Sequence, residues 1–190
     1  MSKGLTNERI KEMLQSPPEE MYSILPIILD QICKRDIGEI IENIPFLLPR
    51  LTEILEEIDT AKLLNESPET PNNFTNVLWK GVAVLAPRFD ELNSLLKRTR
   101  DINVNIDASD SLMKCHFIIG QGAISGGSGL LHFSEQDFRF LGPTKILIAL
   151  LRGELALGFS NVRLQTEGIP EFTRILAPVI RGIAKLIRGE

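Results

Sequence analysis

The chain has 190 residues, 43% of them hydrophobic and only 6% aromatic, and its formal net charge at pH 7 is −4. This length predicts one domain, or one domain with an extension, around an aliphatic core. Residues 1–138 carry 13 lysine or arginine residues against 21 acidic ones, whereas residues 139–190 carry 8 against 4. Because the sequence has no dense basic face with interleaved aromatic residues, we exclude nucleic acid as a partner. The opposite charges predict that the two parts attract each other, or a second copy of the chain.

The sequence also indicates a cellular setting. Residues 1–8 contain no apolar signal region, and no uninterrupted run of 18 apolar residues occurs. Cys33 and Cys115 make neither a disulfide framework nor a pair with metal-ligand spacing. We therefore expect a reduced, cytoplasmic setting and no metal site.

Residues 1–100 repeat apolar side chains at the helical period and predict four helices, the last over residues 74–100. Asp36 is the predicted N-cap of the third helix. Prolines should bend or break these helices at four positions: Pro26, Pro45, Pro49 and Pro87. Two interpretations stay open for the first three helices, a bent layer that wraps the rest of the chain or a contact surface for a partner or a homodimer.

Residues 67–73, with the sequence SPETPNN, consist almost entirely of turn-forming residues. This composition predicts a linker. We accordingly predict two domains, a helical extension over residues 1–70 and an α+β domain over residues 71–190.

Strand patterns begin at residue 102. Residues 102–107 alternate apolar and polar side chains, which predicts a half-buried strand. Residues 112–119 predict a second strand, and residues 130–133 a third that pairs with residues 137–141 through a turn. A last alternating strand is predicted over residues 162–166.

Two apolar helices complete the predicted elements. Residues 146–151 are all apolar, so the helix that contains them should be buried on most faces. The final helix, from Pro170, combines an apolar stripe with a basic one and has Pro178 near its middle, where we expect a kink or a split at Ala177. It is predicted to cap the core. The alternative is a basic, movable cover over an apolar cavity, able to touch an anionic membrane or a phosphate group.

Between Asp101 and Arg188 the chain has a strand, a short apolar helix that ends in Gly-charged-Leu, an alternating strand with one basic residue, and a closing apolar helix. This order resembles the sterol carrier protein type 2 family. The Gly-Lys-Leu-like step of that family is similar to residues 153–155, and its Leu-Lys-Ile strand is similar to residues 162–164. The resemblance implies a small twisted sheet with helices on one face, around a tunnel that accepts sterols, fatty acids or acyl-CoA.

The sequence offers little that is typical of catalysis. The glycine-rich residues 120–129 precede a predicted strand and not a helix, which a nucleotide-binding loop would require. His116 and His132 have no evident carboxylate to orient them, and no catalytic or metal-binding signature is present. We expect no enzyme activity, no cofactor and no catalytic residue.

We predict an α+β fold, in which an N-terminal helical layer precedes a small, mainly antiparallel twisted sheet with helices packed on one face. The predicted function is non-catalytic binding or transfer of a lipid, sterol or fatty-acyl ligand in an apolar tunnel. A helical interaction or dimerisation module, or an accessory subunit with a filled core, is the alternative. The candidate ligand-binding residues are apolar positions of the C-terminal part: Phe133, Phe138, Phe140, Leu147, Leu150, Leu151, Phe159, Leu176, Val179 and Ile180.

Overall fold

The computed structural model describes residues 5–154 and 164–190. Among these residues the helices are α1 (Asn7–Met13), α2 (Pro18–Cys33), α3 (Ile37–Asn43), α4 (Leu47–Glu57), α5 (Thr60–Glu66), α6 (Glu69–Leu85), α7 (Asp90–Arg98), α8 (Thr144–Leu151) and α9 (Pro170–Arg188). The strands are β1 (Ile102–Ala108), β2 (Lys114–Gly120), β3 (Ala123–Ser128), β4 (Phe138–Gly142) and β5 (Gln165–Gly168). A short 3-10 helix, Ala86–Arg88, lies between α6 and α7.

Polar side chains determine where three of the short helices begin. Thr6, Asp36 and Asp59 each accept a hydrogen bond from the backbone N–H three residues further on, at 3.2, 2.9 and 3.1 Å. Such bonds satisfy amide groups that have no partner inside the helix. The predicted N-cap at Asp36 is confirmed.

Prolines break some helices and are accommodated in others. The chain leaves the helical conformation between α3 and α4, around Pro45, as predicted. Helix α6 likewise ends before Pro87, which lies in the 3-10 helix that follows. Pro26 and Pro178 lie inside α2 and α9, which remain continuous. Of the two outcomes predicted at Ala177, the split is therefore wrong, and the kink stays a prediction. Buried side chains on both sides of Pro178 pack α9 onto the core, and this packing offsets the lost hydrogen bond.

The segment predicted as a linker is largely helical. Helix α5 ends at Glu66 and α6 already begins at Glu69, so residues 67–68 alone connect them. Pro71 lies in the first turn of α6, where its missing N–H has no helical acceptor to lose. The linker prediction is wrong. The division of the chain into residues 1–70 and 71–190 stays a prediction.

The five strands form one sheet in the order β3-β2-β1-β4-β5. Strands β1 and β4 are parallel, and the other three neighbouring pairs are antiparallel. The predicted α+β class with a mainly antiparallel sheet is confirmed.

The third strand differs from its prediction. Residues 130–133 are not a strand, and the glycine-rich residues 123–128 form β3 instead. A methyl group on Gly126 would lie 2.5 Å from the His116 carbonyl oxygen and 2.9 Å from Cγ of Trp79. The glycine thus lets α6 approach the backbone of β3 closely, a packing requirement that hydrophobic periodicity does not reveal.

The two faces of the sheet differ in polarity. The face toward α6 and α8 carries buried apolar side chains: Ile102, Val104, Ile106, Cys115, Phe117, Ile119, Phe138 and Phe140. These belong to one apolar cluster that also includes the buried side of helices α1 to α6 and α9. The opposite face carries the polar residues of β1 and their charged neighbours. In the part of the chain that the structure describes, no helix has the length and apolarity needed to cross a membrane.

Candidate functional site

Eight of the ten candidate residues meet in one apolar layer, which we call the C-terminal layer. Strand β4, helix α8 and helix α9 supply them, and each is between 0 and 3% exposed. They are Phe138, Phe140, Leu147, Leu150, Leu151, Leu176, Val179 and Ile180. Side chains with so little accessible surface touch no water-sized space, so the layer is closed around these eight residues.

An aromatic cluster forms the β4 edge of the C-terminal layer. Phe138 meets Phe140 edge to face, with ring centroids 5.0 Å apart, and meets Phe172 of α9 in the same way at 6.4 Å. The Arg100 guanidinium lies 4.4 Å from the centre of the Phe172 ring. Phe172 is not among the predicted site residues, although its place in the apolar stripe of α9 is a signal that could have identified it.

Two candidates are not brought together with the others. Phe133 is 79% exposed and lies on the segment between β3 and β4. That segment is attached to the polar face of the sheet, where Asn105 hydrogen-bonds to both backbone groups of Leu131 at 3.1 and 2.8 Å. Phe159 lies outside the described residues.

A groove runs along the rim of the C-terminal layer, between α4–α5 and α8. It consists of two neighbouring depressions of about 200 and 280 Å³ that share three lining residues, Leu55, Glu56 and Lys145. Ile148 and Ala149 of α8 form the apolar wall of the smaller one. Helix α8 therefore separates the groove from the interior of the layer. No local pattern in the sequence predicts this groove, because α4 and α8 are far apart along the chain.

A pair of carboxyl groups lies at one end of this rim groove. Burial and a hydrogen bond to Glu154 raise the pKa of Glu56, whereas the hydrogen bond from Glu56 and the neighbouring Arg152 lower the pKa of Glu154. The two carboxyl groups therefore hold a proton between them more readily than isolated ones would. Arg152 also contacts Glu56 and donates a hydrogen bond of 3.0 Å to Thr52. These contacts connect the end of α8 to α4.

The polar face of the sheet carries a row of alternating charges across four strands. Lys114 on β2 and Arg139 on β4 both pair with Asp107 on β1, and Arg139 also pairs with Glu167 on β5 at 3.1 Å. Burial alone would raise the pKa of Asp107, but the two cations lower it below its usual value. This row stabilises strand pairing and lies on the face opposite to the C-terminal layer.

The two histidines form short local contacts. Nδ1 of His116 lies 2.9 Å from the carbonyl oxygen of Gly129, and Nδ1 of His132 lies 2.7 Å from the hydroxyl of Ser134. Over the described residues neither imidazole is hydrogen-bonded to a carboxylate. An orienting carboxylate is what a histidine general base would ordinarily require.

No protein-family model matches the chain, and no curated protein matches its sequence. Among solved structures, it is similar to a UbiJ-SCP2 ubiquinone synthesis protein, with 10% identity over 58% of this chain and 91% of that one and a TM-score of 0.41. It is also similar to apo sterol carrier protein 2 from Yarrowia lipolytica, with 13% identity over 62% and 94% of the two chains and a TM-score of 0.42.

A third similar structure is the inverting sec-alkylsulfatase Pisa1 from Pseudomonas sp.. The identity is 13% and the TM-score 0.42, and the match covers 92% of this chain but only 26% of the sulfatase. Two of these three similar structures are named as sterol carrier proteins, the family that the sequence resembles. The similarity gives no ligand and no activity for this chain.

Proposed function

We propose that the chain binds the hydrocarbon part of a lipid, a sterol or a fatty-acyl compound in the C-terminal layer, without catalysis. The observation that supports this proposal best is that eight apolar side chains from three elements converge, with only helix α8 between them and the rim groove. Helix α8 has only eight residues, and six of them in a row are apolar.

A guest would enter by displacing side chains of the layer and not by filling a preformed void. The rim groove along α8 is the proposed entrance, because Ile148 connects its wall with the buried core. Each buried methylene contributes about 0.8 kcal/mol, so a tail of ten methylenes contributes on the order of 8 kcal/mol. This contribution has to exceed the cost of separating side chains that are already packed.

Lys145 is the proposed contact for the polar end of the guest. Its side chain is exposed and lines both depressions of the rim groove. Its ammonium group can donate a hydrogen bond to a hydroxyl or another neutral polar group at the entrance, while the tail lies in the layer. A carboxylate is less favoured there, because four acidic residues line the same two depressions: Glu56, Asp59, Asp110 and Glu154.

The second candidate function is an interaction or dimerisation module with a filled core. Two observations favour it. The eight layer residues leave no water-sized space between them, and Ile27 of α2 and Phe46, just before α4, are 52% and 39% exposed. Exposed apolar side chains of this size are typical of surfaces that a partner covers.

The test compares Leu150→Trp with wild type for binding of a fluorescent fatty acid and of a neutral fluorescent sterol. A larger ring at this position takes up the room that a tail would need, so binding should fall at least tenfold while circular dichroism shows a folded protein. Leu29→Trp in α2 is the matched control, since Leu29 is equally buried but lies outside the layer. Unchanged probe binding by Leu150→Trp, or an equal loss in both folded variants, would contradict the proposal.

If Leu150→Trp does not fold, Leu150→Ala provides the same information with the opposite change in volume. Removing the side chain enlarges the layer, so probe binding should persist or become tighter although stability falls by about 3 kcal/mol.

Native mass spectrometry of protein purified from its host separates the two candidate functions. Co-purifying lipid mass supports a carrier, and a tight dimer without added mass supports the module.

A further inference from the structure

A second cleft, unrelated to the C-terminal layer, lies on the outer side of α9. It has a volume of about 430 Å³, within the range of small-molecule sites. Helices α7 and α9 form its two walls, and its lining residues are Glu91, Ser94, Leu95, Arg98, Pro178, Arg181 and Lys185. We call it the α7–α9 cleft.

The lining residues recur at helical spacing on each wall. Positions 91, 94, 95 and 98 lie on one side of α7, and positions 178, 181 and 185 lie on one side of α9. The cleft therefore presents three cationic groups and one carboxylate. Leu95 and Pro178 supply its apolar surface.

Only one of the three cations is neutralised within the cleft. Nζ of Lys185 lies 3.0 and 2.7 Å from the two carboxylate oxygens of Glu91. Among the described residues Arg98 and Arg181 form no ion pair. Residues 1–4 and 155–163 contain no aspartate or glutamate, so their side chains supply no carboxylate either. Two guanidinium groups of one cleft are left without a counter-ion from the side chains of this chain.

A purely structural role explains Arg98 but not Arg181. Arg98 lies in the last turn of α7, where a cation interacts favourably with the negative end of the helix. Arg181 lies in the interior of α9, away from both ends, and has no such role. It is exposed and lines the same cleft as Arg98, so one anion in the cleft can reach both guanidinium groups.

We infer that the α7–α9 cleft is a binding site for a phosphate group. The guanidinium group presents two parallel N–H donors, which match the oxygens of a phosphate and give bidentate contacts. The hydroxyl of Ser94 can donate a further hydrogen bond. This site goes beyond the proposed function, because it requires no hydrocarbon and shares no residue with the C-terminal layer.

Two sources can supply this phosphate, a soluble phosphorylated molecule or the head group of a lipid in a membrane surface. Isothermal titration with pyrophosphate tests the first source. Sedimentation with vesicles of phosphatidylglycerol and phosphatidylcholine, compared with vesicles of phosphatidylcholine alone, tests the second. Saturable binding of either probe that is lost when the two arginines are replaced together supports the inference and identifies the source.

The variant for this test is the double substitution Arg98→Gln and Arg181→Gln. Arg9→Gln with Arg88→Gln is the matched control, since it removes the same charge from exposed arginines that already pair with Glu12 and Glu42. Binding of the responding probe should fall at least tenfold in the first double variant and less than twofold in the control. Both variants change exposed side chains, so folding should be preserved.

Two results would overturn the inference. One is that wild-type protein binds neither pyrophosphate nor anionic vesicles at physiological salt. The other is an equal loss in the two double variants, which would show general attraction to positive charge. These substitutions lie outside the C-terminal layer, so binding of the neutral sterol probe should be the same whether or not the cleft binds phosphate. Loss of the phosphate inference is therefore distinguishable from loss of the proposed function.

Discussion

Trp79 of α6 stacks on Phe117 of β2, with ring centroids 4.8 Å apart and ring planes inclined by 29°. Both side chains are fully buried, so this contact joins the longest helix of the N-terminal part to β2, the strand next to the β3 edge of the sheet. Gly126 on the neighbouring strand leaves the space that the indole occupies. The helical part and the sheet are therefore packed as one core around these rings.

Replacing Gly126 with alanine should destabilise the protein by about 3 kcal/mol. The added methyl group would meet the backbone oxygen of His116 at 2.5 Å, and a backbone atom in a sheet cannot move aside cheaply. Urea unfolding measures the change. Ser125→Ala, at an exposed neighbouring position, should alter stability by less than about 0.5 kcal/mol. Equal stability of Gly126→Ala and wild type would mean that α6 does not approach β3 this closely.

Asn105→Ala should release the segment between β3 and β4. The Asn105 side chain is buried and satisfies the N–H and the carbonyl oxygen of Leu131 as well as the side chain of Gln136. Its loss leaves these groups without partners, which costs about 2 kcal/mol. Hydrogen exchange at the Leu131 amide is the measurement, and its protection should disappear. Asn43→Ala on the surface of α3 is the control, and retained protection of Leu131 would contradict this role.

Acid should remove part of the stability that depends on Asp107. Its pKa in the folded protein lies below the usual 3.8, so its contribution is present above that value and is lost as the pH falls through the lower folded pKa. Asp107→Asn should therefore lose about 2 kcal/mol at pH 6, and this deficit should shrink below pH 3.8. Denaturant unfolding at several pH values measures it. Asp30→Asn, from an exposed pair with Lys34, should cost far less. A deficit that does not depend on pH would argue against the ion pairs.

The stability that Glu56 contributes should change with pH in the opposite direction to that of Asp107. Since its pKa is raised above the usual 4.5 in the folded protein, protonation stabilises the fold, and stability falls as the pH rises through that raised value. Glu56→Gln keeps a donor toward Glu154 at every pH, so this loss of stability above pH 4.5 should vanish. Thermal unfolding between pH 4.5 and 8 tests it, with Glu57→Gln as the control, since Glu57 is an exposed residue of the same helix that does not affect the pKa of Glu56. Identical pH profiles for Glu56→Gln and wild type would exclude a shared proton.

Local signals in the sequence predict local structure well. The N-cap at Asp36 and the helix breaks at Pro45 and Pro87 follow from hydrogen bonding and backbone geometry within a few residues. The alternating pattern likewise predicts β1. These features need no knowledge of the distant parts of the chain.

Long-range relationships are what the sequence does not provide. The parallel pairing of β4 with β1 and the use of glycines in β3 depend on which elements lie side by side. The exposure of Phe133 has the same cause, because its segment packs on the polar face through Asn105. The side-chain pattern of the C-terminal layer is predictable, but whether that layer is filled depends on packing at the level of single methyl groups.

The most direct test of the proposed function locates the guest itself. We would add a ¹³C-labelled fatty acid to the protein and record nuclear Overhauser effects between its methylene protons and the methyl groups of the chain. We predict contacts with Leu147, Leu150 and Val179, all of which are buried in the protein without a guest. Contacts confined to exposed side chains such as Ile27 and Phe46, with unchanged signals from the layer, would contradict it.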